Sequence, residues 1–165
     1  MGDLLDRQQR RVMPIVLVGV LVTAAYAWAG AMQILVWNPM AAVPGMTLDE
    51  IKAAMLAANE PLAEAHVYVW AAIGFSLALA VGIYGVLKVP DRPWTIARWF
   101  LVILVLGTPT YFFASFNPGM SIADAFATSG GDHAPWSRIL YGISLLALIT
   151  LMLTVTRRDN AQPKG

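Results

Sequence analysis

The sequence predicts an all-α fold, a four-span transmembrane helical bundle with both termini cytoplasmic and a short amphipathic helix in the first outer loop. Three observations carry that expectation. Asp, Glu, Lys and Arg are missing from four long stretches, 12–37, 65–87, 99–123 and 139–156. A bilayer's hydrocarbon core is about 30 Å thick, and about 20 apolar residues in a helix cross it. Inside lipid each backbone N–H and C=O must be satisfied within its own segment, which makes such runs helical. The second observation is composition: 58% of the chain is hydrophobic and 13% charged, where soluble domains carry roughly 25% charge. The third is the sorting of charge. Arg7, Arg10, Arg11, Lys88, Arg92, Arg98, Arg157, Arg158 and Lys164 fall on one side of the four spans, leaving only Lys52 and Arg138 on the other. The positive-inside rule therefore places residues 1–11, 88–98 and 157–165 in the cytoplasm of a plasma-membrane protein.

The first span is expected over 12–37. Arg7–Arg11 before an apolar run, with small residues at 25–31, resembles a secretory signal peptide. The uncharged run nevertheless continues well past the 7–15 residues of a signal's apolar region, so an uncleaved span is the expectation. Trp37-Asn38-Pro39 reads as an interfacial aromatic followed by a helix stop. In the loop that follows, Thr47 is a good N-cap and Glu50, three residues on, its capping-box partner. Leu48, Ile51, Met55 and Leu56 share a stripe, predicting an amphipathic helix over 47–58 on the membrane surface or over the bundle mouth. Asn59-Glu60-Pro61 reads as the cap and first turn of a helix running unbroken into the second span, 62–87.

A tight cytoplasmic turn with two prolines leads to the third span, 95–116. Gly107-Thr108-Pro109-Thr110 predicts a mid-membrane kink whose freed carbonyl the threonine hydroxyls partly satisfy. A Gly-, Ser- and Asp-rich loop over 115–136 precedes the fourth span, 136–156. The two halves share a pattern: aromatic-Asn-Pro, then Gly-Met-hydroxyl-aliphatic with an acid soon after, at 37–50 and 116–124. This is the signature of a two-hairpin internal repeat about an axis along the membrane normal. It is also what any two outer span ends would share, since each needs an interfacial aromatic and a helix cap.

Small residues at four-residue spacing, Gly19, Thr23 and Ala27 on the first span and Gly74, Ala78 and Gly82 on the second, predict close packing of those two helices. Gly74 and Gly82 are expected to tolerate bulk least. Gln33, Thr23, Ser76, Thr108 and Ser144 are the strongest polar groups in the spans, and each is expected to satisfy itself locally. Away from the span ends no Asp, Glu, Lys, Arg or His lies within a span, which argues against an ion pathway.

The candidate chemistry is confined to the outer face. His66, His133, Glu64 and Asp132, with Glu60 nearby, could hold a divalent metal, and the two histidines could ligate a haem axially. Against this, Glu64 and His66 are two apart and diverge on a helix, and no H-E-x-x-H spacing is present. Tyr26, Trp28, Tyr68, Trp70, Tyr84 and Tyr111 could line a quinone or lipid pocket, although such residues more often pack. The absence of cysteine excludes thiol redox chemistry and thiolate metal sites. No nucleic-acid-binding or nucleotide motif is present. The leading expectation is a non-enzymatic accessory or assembly subunit of a larger membrane complex, with no cofactor, whose partners are the lipid bilayer and other membrane protein subunits. The alternatives are a metal- or haem-binding redox protein and a small lipid- or quinone-binding protein.

Overall fold

A computed structural model describes the backbone of residues 2–88 and 93–159 and the side chains of residues 9–88 and 93–156. Residues 89–92 of the expected two-proline turn over 88–94, and the tail beyond 159, lie outside the described residues. The chain is all-helical: α1 Gly2–Met32, a π turn Gln33–Trp37, α2 Asn38–Ala42, α3 Leu48–Ala57, α4 Glu64–Lys88, α5 Trp94–Phe126 and α6 Ser137–Asp159. Four helical stretches, 9–42, 64–88, 94–126 and 137–156, are long and apolar enough to cross a membrane. The protein is a multi-pass helical bundle.

α5 is the central helix, packed against α1, α4 and α6, while α1 lies along α4 and touches α6 only lightly. The largest apolar cluster joins Tyr26, Leu35, Val67, Leu104, Tyr111 and Leu140 from all four spans. A second, of Val12, Val16, Ala78, Ile96 and Phe100, fills the opposite end of the bundle from α3. Midway, the Tyr26 hydroxyl lies 3.1 Å from Ser144 Oγ, which donates to the Leu104 carbonyl at 2.7 Å, linking α1, α6 and α5. Ser144 is thus satisfied across helices rather than locally. The Thr23 hydroxyl is buried without a partner among the described residues.

Neither Asn-Pro pair stops its helix. After Met32 the chain widens into the π turn, whose closing bond runs from the Asn38 N–H to the Gln33 carbonyl. Pro39 then falls in the first turn of α2, directly after the widened turn. Pro118 likewise lies inside α5, which continues to Phe126, ten residues beyond its expected end. Pro109 is also accommodated within α5, and Thr110 Oγ1 donates to the Leu106 and Gly107 carbonyls at 2.7 and 3.1 Å.

The α3 helix has the local signals that predict it. Glu50 N–H donates to Thr47 Oγ1 at 3.3 Å, and Thr47 N–H donates to Glu50 Oε2 at 2.7 Å, completing the capping box. Ile51 and Met55 are fully buried against Ala42 and Ile122, so α3 seats on the ends of α2 and α5. Its far end corrects the expectation that Asn59 starts the next helix. Asn59 instead takes φ +59°, with Asn59 N–H on the Leu56 carbonyl and Glu60 N–H on the Met55 carbonyl at 2.9 Å. That is a Schellman cap, and Asn is the residue other than Gly that best tolerates the left-handed conformation. The α4 helix consequently begins only at Glu64.

The bonds from Thr47 hold the Glu50 carboxyl below its ordinary range. A group with a lowered folded-state pKa contributes stability above its ordinary value and loses it as pH falls through the lowered one. Acidification should therefore loosen α3 first at its N-terminus. Thr47→Ala should weaken α3 by about 0.5–2 kcal/mol at neutral pH, read as faster amide exchange over residues 50–55. Unchanged exchange would show that the burial of Ile51 and Met55 alone fixes the helix.

Candidate binding site at the α3 end of the bundle

The loop from Ala127 to Trp136 returns across the end of the bundle that carries α3, and two residues of the first helical stretch hold it there. Asn38 Oδ1 accepts from the His133 N–H at 2.6 Å and the Ala134 N–H at 3.3 Å, while Asn38 Nδ2 donates to the Gly131 carbonyl at 3.4 Å. Gln33, fully buried, donates from Nε2 to the Ala134 carbonyl at 3.2 Å. Gln33 therefore bonds across the bundle, against the expectation of local bonding, while its amide oxygen has no partner among the described residues. The backbone of Ala134, the buried residue of this loop, would otherwise carry unpaired polar groups. The loop also lies directly on α5. A Cβ placed on Gly119 would come within 2.5 Å of the Gly130 carbonyl oxygen, so only glycine permits this approach.

Behind the held loop is a cavity of about 220 Å³ between α5, α6 and residues 130–132. Asp132 lines it, and each of its carboxylate oxygens takes one tyrosine. Tyr111 of α5 donates to Oδ1 at 2.9 Å, and Tyr141 of α6 donates to Oδ2. Tyr111 is fully buried and meets the Tyr141 ring edge-on, with centroids 5.8 Å apart. Phe112 and Phe116 line the same cavity, their rings 5.9 Å apart, and both are more than half exposed. The site thus combines one carboxylate, two phenols and two phenyl rings. Among the described residues Asp132 has no ion-pair partner.

The structure does not gather the four residues expected to bind a metal. Glu64 is engaged at 2.7 Å by Lys52, whose pKa this pairing raises, and the pair ties the start of α4 to α3. His66 is exposed on α4. His133 is exposed in the loop, with its ring Nε2 2.9 Å from the Ser129 carbonyl. Asp132 serves the tyrosines. Among the described residues no three His, Cys, Asp or Glu side chains come together as metal ligands.

The small-residue positions separate as well. Ala27 meets Gly74, and a Cβ added to Gly74 would lie 3.6 Å from the Ala27 methyl; one added to Gly82 would lie 3.3 Å from Val16 and 3.0 Å from Val20. Ala78 and Thr23 are buried. Gly19, however, faces α5, with the Phe100 ring over it. Gly74 borders a 140 Å³ cavity that Thr23 also lines, so of the two glycines Gly82 is the tight one. Of the aromatic candidates, Tyr26, Trp70 and Tyr111 turn inward, with Trp70 and Tyr111 centroids 6.2 Å apart, whereas Trp28, Tyr68 and Tyr84 point outward.

Sequence reasoning missed Asn38, Gln33, Tyr111 and Tyr141 as parts of one site. A signal was present. A tyrosine in a charge-free membrane run needs a partner for its hydroxyl, and Asp132 is one of the few acids close to the ends of two such runs. Comparison with protein-family models, with curated proteins and with solved structures finds no match for this chain.

Proposed function

We propose that this chain is a non-enzymatic protein of the plasma membrane, with both termini cytoplasmic and α3 outside, acting as an accessory or assembly subunit of a larger membrane complex. One observation carries the reading. α6 leans on α5 and barely touches α1, which leaves a 290 Å³ apolar cleft between α1 and α6. Trp37 and Trp136 close its α3 end, with centroids 5.8 Å apart, and Ile139 and Ile143 line its depth. Transmembrane helices associate by van der Waals fit rather than by expulsion of water, so a lengthwise cleft suits a partner helix.

A photoreactive benzoylphenylalanine at Ile143, activated in native membranes, tests this. A protein adduct of discrete mass supports the accessory role. Adducts to lipid alone, in membranes where the protein is at its native level, would overturn it.

The orientation rests on the distribution of basic residues and is tested separately. The chain has no cysteine, so single introduced thiols report without background. Cysteines at Ala53 and Ser129 should react with an impermeant thiol reagent in intact cells. Those at Gly2, Asp91 and Gln162 should react only after the membrane is opened. Labelling at Asp91 from outside would reverse the assignment.

A further inference from the structure

We infer that the cavity holding Asp132 is a binding site for a quaternary ammonium group. The carboxylate lines the cavity with no ion-pair partner among the described residues, and no Lys or Arg side chain lines it. Both carboxylate oxygens are fixed by tyrosine hydroxyls. The charge is therefore held in one orientation while lone pairs remain to meet a ligand. Four aromatic rings share the cavity wall: Tyr111, Tyr141, Phe112 and Phe116. Ring faces attract cations, and a carboxylate among several rings is the chemistry that recognises an alkylated ammonium, which has no N–H to donate.

Size narrows the ligand further. At about 220 Å³ the cavity falls below the 300–1,000 Å³ of drug-sized sites. It suits a headgroup of a few heavy atoms. A divalent metal fits less well, because a single carboxylate already bonded to two phenols offers a hard cation few free oxygens. The loop that supplies Asp132 is held by Asn38 and by the close contact of Gly130 on Gly119, so the site is formed before the ligand arrives.

The ammonium could belong to a free solute or to a phosphocholine lipid headgroup, and the test separates these sources. The probes are choline, its uncharged isostere 3,3-dimethyl-1-butanol, and dodecylphosphocholine below its micellar concentration. Each is titrated calorimetrically into the full chain in a maltoside detergent at matched ionic strength. Choline should bind and the isostere should not. Tighter binding of dodecylphosphocholine than of choline would identify the lipid headgroup, and equal or weaker binding would identify a free solute. Asp132→Asn should weaken choline by about tenfold or more. Because that change also touches the loop, Phe112→Leu, at an exposed position, serves as a second variant and should weaken choline roughly three- to tenfold with unchanged thermal stability. Equal binding of choline and the isostere, no binding of either choline or dodecylphosphocholine, or a folded Asp132→Asn protein with wild-type affinity would each overturn the assignment.

Discussion

Asn38→Ala should release the 127–136 loop and lower the stability of the whole α3 end. Asn38 is 7% exposed and Ala134 4%, so the Ala134 N–H that loses its acceptor has little water to turn to, while the N–H of the exposed His133 can still be hydrated. Each buried donor left unpaired costs about 1–3 kcal/mol. The expected result is a fall in thermal midpoint in detergent together with faster amide exchange at His133 and Ala134. Asn38→Asp supplies the internal control. Protonated, its carboxyl keeps an oxygen for both N–H groups and an O–H to turn toward Gly131, so at a pH low enough to hold it neutral its loss should be clearly smaller. Ionisation would set a buried charge against the Gly131 carbonyl and remove that advantage. Similar midpoints for Asn38→Ala and the native protein would mean that the loop is held by its seat on Gly119 alone.

The second large effect belongs to Gly19. A methyl group there would lie 2.3 Å from Phe100 Cδ2, and Phe100 is itself buried against Val12 and Val16. The ring is 3% exposed and must shift to admit the methyl, so Gly19→Ala should cost about 1–3 kcal/mol, the range for overpacked cores. Phe100→Ala alone should cost about 3–5 kcal/mol through the cavity it leaves. Combined, the two should be less damaging than their sum, with a coupling of about 0.5–3 kcal/mol, since each relieves the defect the other creates. Strict additivity in thermal denaturation would show that Gly19 does not face Phe100.

Both predictions concern features that no local pattern reveals, and that marks the boundary of what was legible in the chain. The helices were legible because a charge-free run of span length has few alternatives in a bilayer. The capping box at Thr47 and Glu50 was legible because its partners sit three residues apart. The helix ends were not. Asn38-Pro39 and Asn117-Pro118 read as stops because proline's missing N–H usually ends a helix, yet a π turn places one proline in a first turn and α5 absorbs the other. Asn59 read as an N-cap because Asn favours both helix caps, and only the backbone decides which helix it serves.

The candidate site was legible only in part. Asp132 and His133 drew attention as an adjacent acid and histidine at a span boundary. Their bonding partners come from residues 21 and 95 positions away, Tyr111 and Asn38. Separation of that kind carries no spacing signature. The four proposed metal ligands failed to gather for a related reason: Glu64 has a cation on the neighbouring helix, and Asp132 has two phenols closer than either imidazole.

The wide turn at Gln33–Trp37 makes the bundle sensitive to residue count in a way that side-chain identity does not capture. Positions five apart on a regular α-helix lie roughly 140° out of phase. Gln33 and Asn38 are five apart, yet both reach the same returning strand of loop, because the bond from Asn38 N–H to Gln33 O stacks one above the other. The turn acts as a single built-in insertion that brings the two amides into phase. Straightening the turn into a regular α-helix without removing a residue would swing Asn38 away from His133, whereas deleting one residue between 34 and 37 would leave the two amides four apart and still on one face. The reading frame of the helix, counted in residues, is thus a structural element of the site in its own right.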